Sequence, residues 1–473
     1  MKKIMTRLLS LVLLGTFIPS FVLADNWDLD KGSITVSATV ENQTVSQAGG
    51  SPTVDHNPVI TSSSGTTNNT VTITAEKNAT ANVTLENVNI DTGTRGGAAI
   101  TASGEGNVNI ELDGTNRVQS GNTHAGVEKK DNGTLTITDE NKDGSLTATG
   151  GGVGGAGIGG GYEGSGSNIT IEGGKVTATG GSAGAGIGGG AGGSGSNIAV
   201  SGGEVTAQGG FDGAGIGGGA HGIGSNITIS DGKVTATGGA AGAGIGGGFW
   251  GSGSGITIEG GEVTAQGDIG GGANGTGSDV TISGDAQVKV QGGAANEYWH
   301  KGAAIGNGGT STTDGNEVSP NTSDLTVEGF IQIYEPGKNI NTDTPDRTIE
   351  GQKGDHSWNA GVVTAETVPE SKAAAYWVSD PEGQSIPYKA QVKDGVLTVT
   401  VQADTASLRG TTGSLGQLEA QGVAEIRFVT KVAQSAFTLA DLLASGTGSF
   451  TLTHEAETVS FTLAEKDISG ILK

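Results

Sequence analysis

The sequence predicts an all-β chain: a right-handed parallel β-helix, three-faced with 29-residue coils, followed by a small C-terminal β-rich domain. Three observations carry that reading. The motif GAGIGGG centres on Ile158, Ile187, Ile216 and Ile245, at a constant spacing of 29 residues. Two further motifs keep step with it, NITI or a close variant at Ile169, Ile198, Ile227 and Ile256, and KVTAT or EVTAQ at Val176, Val205, Val234 and Val263. Within each motif apolar and polar residues alternate, as a strand with one buried face requires. No such segment buries its apolar side alone, but coils stacked about 4.8 Å apart close a narrow column of Ile, Val and Ala.

Composition agrees once the repeat is recognised. The chain has 473 residues, of which 90 are glycine and none cysteine, with 33% hydrophobic residues and a formal charge of −24. Glycine lacks the every-third period of collagen. Disorder is the weaker reading, because disordered glycine tracts do not hold Ile, Val and Thr in phase over four coils. The acidic balance excludes nucleic acid as an expected partner, since phosphate binding needs clustered Lys and Arg.

The elements follow in order. Residues 1–24, with Lys2, Lys3 and Arg7 ahead of an apolar stretch ending at Ala24, read as a secretory signal cleaved after Ala24. No later run reaches the ~18 apolar residues of a membrane span. Without cysteine, neither disulfides nor a lipid anchor on a cysteine are expected. The expected location is therefore extracellular, in solution or at the cell surface, without membrane insertion. Residues 25–95 are expected to form an N-terminal β cap and the first coils, since a solenoid end must cover its open strand edges. Residues 96–365 are the β-helix, strongest over 146–309, with a shortened repeat at Ile269, a degenerate one at Ile305 and an insertion at 310–323. The coil DLTVEGFIQIY ends it. Residues 371–473 form the C-terminal domain, in which Lys393-Asp394-Gly395-Val396 predicts a hairpin and SAFTLADLLA a short helix near Leu439.

Columns along the axis follow from the period. Asn168, Asn197 and Asn226, continued by Gly255 and Asp279, are expected at one corner as an amide ladder. Lys175, Glu204, Lys233 and Glu262 alternate in sign on one face, so a one-coil slip would stack like charges. Such pairs contribute about 0–1 kcal/mol each and act chiefly on register.

Catalytic patterns are sparse. Glu172 and Glu259 share a column but stand about 14 Å apart by stacking, beyond the ~5–9.5 Å of paired glycosidase carboxylates. The six histidines are scattered without metal-ligand spacing, and GAGIGGG lacks the lysine of a phosphate loop. No cofactor or metal is expected. Aromatic residues are rare and gather beside the glycine corners, as Tyr162, His221 and Trp250 in the repeats and Tyr298 and Trp299 just after them. Exposed aromatic rings on a rigid polar scaffold suit stacking against sugar faces, with nearby Asn, Gln and Thr taking hydroxyls. Those five residues are the candidate carbohydrate-binding set. Packing under the 310–323 insertion is the competing reading.

The GAGIGGG and VTATGG repeats, the preceding NVNIELDGTNRV and HAGVEKKDNGTLTI, and the C-terminal FVTKVAQSAFTLADLLA and SFTLTHEAETVSFTL resemble a known group. It comprises large secreted proteins of Gram-positive, often gut, bacteria, described as carbohydrate-binding-domain-containing β-helix proteins. The likeness covers most of residues 28–473. It implies a secreted or surface protein that touches polysaccharide.

The function expected is that of an exported, non-catalytic β-solenoid, adhesin-like or polysaccharide-binding, whose partner is a polysaccharide or cell-surface glycan. Three alternatives remain open at this level. One is a self-assembling surface or filament protein, one a polysaccharide lyase or hydrolase, and one an ice-binding face built on the column Thr147, Thr177, Thr206, Thr235 and Thr264.

Overall fold

The computed structural model describes residues 25–292, 304–309, 325–327, 330–334, 338–345, 347–350, 357–358 and 362–363, and most of 376–473. Three sheets run the length of the solenoid, with 12, 10 and 13 strands. The 12-stranded sheet carries Gly166–Ile171, Gly195–Val200, Gly224–Ile229 and Gly253–Ile258, and is here the serine face. The 10-stranded sheet carries Lys175–Thr179, Glu204–Gln208, Lys233–Thr237 and Glu262–Gln266, the charge face. The 13-stranded sheet carries the two-residue strands Ile158–Gly159, Ile187–Gly188, Ile216–Gly217 and Ile245–Gly246, the ridge face.

Pairing within the repeats is parallel and keeps the predicted register: Ile187 opposes Ile216, Ile198 opposes Ile227 and Val205 opposes Val234. Alternation along each strand sends Ile187, Ile198, Val200, Val205 and Ala207 inward, each at most 1% exposed. Burying an Ile or Val contributes roughly 1.5–3 kcal/mol, so a thin core of about five side chains per coil accumulates as coils stack. One cluster of such residues runs unbroken from Leu29 to Ile333.

Glycine is required at one position of the ridge face. Gly159, Gly188, Gly217, Gly246, Gly270 and Gly306 all have φ between 127° and 141°. A Cβ on Gly188 would lie 2.0 Å from the carbonyl oxygen of Gly217 in the next coil, and the same contact recurs along the column. Only a residue without a side chain fits there.

The predicted columns are present. Asn197 Nδ2 donates to Asn168 Oδ1 at 3.0 Å, and Asn226 Nδ2 to Asn197 Oδ1 at 3.2 Å. Their place differs from the expected corner: Asn168, Asn197 and Asn226 lie inside strands, at φ of 58°, 53° and 51°. A left-handed residue there lets two consecutive side chains, Ser167 and Asn168, face outward before Ile169 turns in. Gly255 and Asp279 continue the column at φ of 62° and 50°, consistent with the residue types that tolerate this conformation. On the charge face, Lys175, Glu204, Lys233 and Glu262 oppose one another in turn, with Lys175 Nζ 3.5 Å from Glu204.

Both ends depart from the parallel pattern. At the start, Gln43–Gln47 and Thr53–Val54 add to Ile34–Ala38 as antiparallel strands. The buried Gln43 side chain reaches the backbone of Asp55 and of Asn82. At the far end Leu325–Val327 and Phe330–Tyr334 complete the last parallel strands. Arg347–Glu350, Ser357–Trp358 and Val362–Val363 then cap one sheet each as antiparallel strands. The 310–323 insertion lies outside the described residues.

The C-terminal region holds sheets of five and four strands around a separate core that includes Phe428, Phe437, Phe450 and Phe461. Lys389–Lys393 and Val396–Thr400 form the predicted hairpin, with Asp394 and Gly395 at φ of 52° and 78°. The predicted helix spans Leu439–Ala444, where Thr438 Oγ1 accepts from the Asp441 amide at 3.0 Å. Among the described residues no helix is long and apolar enough to cross a membrane. His454 is fully buried beside Phe428, its ring nitrogens 3.2 Å from Thr430 Oγ1 and 3.0 Å from Ser435 Oγ. Burial holds its pKa below the ordinary value.

Two predictions follow from these cores. Gly188→Ala should destabilise the solenoid by roughly 3 kcal/mol or more, measured by chemical denaturation. Gly152→Ala, whose nearest neighbour would be Asn122 Oδ1 at 3.8 Å, should leave stability within about 0.5 kcal/mol; equal effects would refute the close-contact argument. For His454, the unfolded chain takes up a proton before the folded domain does as pH falls. The domain's stability is therefore complete above the ordinary histidine range and drops below about pH 6.5, by at most about 1.4 kcal/mol per pH unit. His454→Gln should flatten that part of the melting-temperature profile, and an unchanged profile would show that another group is responsible.

Candidate functional site

Two loops flank each ridge-face strand, and the predicted site residues of the repeats, Tyr162, His221 and Trp250, lie on the loop after it. The loop before it carries Val153 in one coil, Ser182 and Ala183 in the next, then Phe211 and Asp212, then Ala240 and Ala241. The loop after it carries Tyr162 and Glu163, Ala191 and Gly192, Ala220 and His221, and Phe249 and Trp250. Backbone bonds tie the second loop of each coil to the first loop of the coil before: Ala191 N to Gly154 O at 2.7 Å, Ala220 N to Ala183 O at 2.8 Å and Phe249 N to Asp212 O at 2.8 Å. The two loops together make a convex ridge along the axis.

Apolar exposure on the solenoid concentrates there. Val153, Tyr162, Phe211, Ile223 and Trp250 are between 47% and 61% exposed. His221 and Phe249 have ring centroids 5.7 Å apart, and Phe249 and Trp250 meet edge to face at 5.9 Å. Tyr162, His221 and Trp250 of the predicted set stand on this ridge, and the fold adds Phe211 and Phe249, with Ile223 beside them. Tyr298 and Trp299 lie outside the described residues. Polar columns border the ridge on both sides. Ser165, Ser194, Ser252 and Thr276 stand towards the serine face in a column that Ile223 interrupts, and Thr179, Gln208, Thr237 and Gln266 end the strands of the charge face.

Backbone conformation singles out two of these residues. Glu163, Gly192, His221, Trp250 and Asn274 occupy the same place in successive coils, with φ of 58°, 77°, 61°, 59° and 61°. Gly192 adopts that conformation without strain, whereas a bulky tryptophan there costs on the order of 1 kcal/mol. The sequence thus holds an exposed tryptophan where glycine would make the more stable backbone.

Ionisable groups on the ridge are few. Burial raises the Asp212 carboxyl above its ordinary range, and nearby His221 pulls it the other way. Glu163 is exposed.

One cluster escaped the sequence reading. Glu128 is buried in the coil before Tyr162, with its carboxylate 2.7 Å from His124 Nδ1, 2.9 Å from Lys130 Nζ and 3.2 Å from the Ala125 amide. It opposes Gly159 and so stands in the glycine column. A charged residue in that column, with histidine four residues earlier, was the available signal. The next coil covers it, since a Cβ on Gly161 would lie 2.9 Å from Glu128 Oε2. A covered and fully paired carboxylate anchors the coil and offers substrate no free oxygen. Elsewhere, Asp139, Asp143, Glu172 and Glu204, with Lys142 and Lys175, line a cleft at the corner between the serine and charge faces. Glu172 and Glu259 lie three coils apart, as the period requires.

Comparison with known proteins agrees with this architecture. The beta helix repeat family matches residues 169–191, 198–220 and 227–249. No curated protein and no solved structure matches the chain.

Because position 250 strains the backbone, Trp250→Gly should leave stability unchanged or raise it by up to about 1 kcal/mol. Thermal unfolding measures this, and a loss above 1 kcal/mol would mean that Trp250 is a packing residue.

Proposed function

We propose that this chain is a non-catalytic, polysaccharide-binding β-solenoid, adhesin-like in action, and that the ridge of Tyr162, Phe211, His221, Phe249 and Trp250 is its contact surface. The observation carrying this reading is that, among the described residues of the solenoid, the exposed aromatic side chains stand on one ridge, with hydroxyl and amide groups on its flanks. Aromatic faces take the apolar face of a sugar ring, and flanking hydroxyls and amides exchange hydrogen bonds with its edge. The strained Trp250 supports it, since backbone strain persists where a side chain has a task. The secretory character of residues 1–24 and the resemblance to secreted carbohydrate-binding β-helix proteins of Gram-positive bacteria fit an extracellular or cell-surface place of action. Tyr298 and Trp299 follow the last strong repeat in sequence and belong to the same proposed contact set. Self-assembly by end-to-end stacking is less well supported, because antiparallel strands close all three sheets at the C-terminal end of the solenoid and one of them at the N-terminal end.

Pull-down of the purified protein on a panel of insoluble polysaccharides tests the proposal. The native chain should be retained by at least one of them, and Tyr162→Ala and Trp250→Gly should each lower retention about tenfold. Full retention by both variants would remove the ridge as the contact, and release of reducing sugar by the native chain would replace binding with catalysis.

A further inference from the structure

The charge and direction of the ridge restrict the kind of polysaccharide it accepts, an inference that rests on the glycan-binding reading. We infer that the ridge takes an uncharged polysaccharide, lying lengthwise along the solenoid axis and held by internal sugar rings.

Charge selects against acidic glycans. The ridge loops of the four coils, from Gly150 to Gly251, carry three ionisable side chains, Glu163, Asp212 and His221, and neither Lys nor Arg. The lysines between these loops, Lys175 and Lys233, lie on the charge face, each opposite a glutamate. Among the described residues of these four coils, a uronate, sulfate or phosphate group on the ridge would lose water, meet two carboxylates and find no lysine or arginine to pair with. A net charge of −24 opposes it further at long range. A neutral ring meets no such cost.

Direction follows from where the rings stand. Tyr162 lies on one coil, Phe211 and His221 two coils on, and Phe249 and Trp250 on the coil after that. At about 4.8 Å per coil the aromatic row extends about 14 Å along the axis, room for roughly three hexopyranose rings. Across the axis the ridge is only two loops wide. A chain crossing it would meet the two loops of one coil or of adjoining coils, Phe211 with His221 or Phe249, and would leave Tyr162 unused. The ridge is convex, so it presents stacking faces without walls to enclose a chain end. Length of contact therefore has to supply the affinity.

Titration calorimetry on the purified protein tests this in two arms. In the first, neutral glucans, mannans, xylans and galactans are compared with polygalacturonate and alginate. Binding should be confined to neutral polymers; binding of an acidic polymer that Trp250→Gly abolishes would overturn the charge argument and leave the glycan reading standing. In the second, two-ring and six-ring oligosaccharides of the tightest neutral polymer are compared. The six-ring ligand should bind at least tenfold tighter, and Tyr162→Ala and Trp250→Gly should each weaken it about tenfold while Gly152→Ala does not. Equal affinity for two and six rings, or a six-ring affinity unmoved by Trp250→Gly, would overturn the lengthwise placement. Absence of binding to every polymer tested would overturn the glycan reading itself and this inference with it.

Discussion

Backbone contact between glycines of successive coils is the constraint on which the rest of this structure depends. Gly160, Gly189 and Gly218 amides donate to the carbonyls of Gly188, Gly217 and Gly246 at 2.8–2.9 Å. With no side chain to separate them, the coils close to hydrogen-bonding distance at the ridge face, and the other two faces inherit the same rise. Coil length is constant at 29 residues from Ile158 to Ile245, and the column persists when the next two coils take 24 and 36 residues, because the difference is taken up outside the paired strands. At Glu128 the column carries a carboxylate in place of glycine, and Ile100, Val127 and Ile158 still oppose one another in turn, at 27 and 31 residues. The carboxylate, held by His124, Lys130 and the Ala125 amide, occupies the space that glycine leaves elsewhere.

A backbone fixed so tightly separates conformation from side-chain identity. At the left-handed position of the ridge, one φ of about 60° accommodates Glu163, His221, Trp250 and Asn274, with glycine at Gly192 only slightly different. Bonds from Glu163 N to Ala191 O, His221 N to Phe249 O and Trp250 N to Ala273 O, at 2.6–2.8 Å, hold the position in place whatever it carries. Variation at such a place is free to serve recognition, since it alters neither register nor core. The Asn column shows the opposite case. There the side-chain amides bond to one another along the axis, and the ladder stops at Gly255, which has no amide to offer.

The sequence period made the coil, its three faces and the charge alternation legible because each is a consequence of repetition. A column is visible in the text whenever a residue recurs at 29. Features that arise once were hidden. The antiparallel strands at Gln43–Gln47 and Arg347–Glu350 satisfy edges that exist only at the ends, and nothing in the repeat encodes them. The Asn168 kink reads as a corner in the sequence because asparagine and glycine mark turns and left-handed strand residues alike. Phe211 and Tyr162 are 49 positions apart and sit in different loops, so their membership of one ridge needed the contact between loops. For the same reason Tyr162, His221 and Trp250 were recognised as exposed aromatics before their common surface was.

Opposite corners of the coil serve opposite physical ends. The carboxylates Asp139, Asp143, Glu172 and Glu204 gather between the serine and charge faces, where water solvates them. The ridge, across the coil from that corner, keeps its rings together with few charges among them. A flexible loop bearing the same aromatics would lose conformational entropy on meeting a ligand, roughly 0.5–1.5 kcal/mol for each side chain immobilised and more for the backbone. Here that ordering is complete when the coils stack, at the expense of a strained Trp250. Stacking on such a ridge is weak ring by ring and gains strength only through a ligand that reaches several coils, so a scaffold extended along one axis is matched to a polymer extended along the same axis.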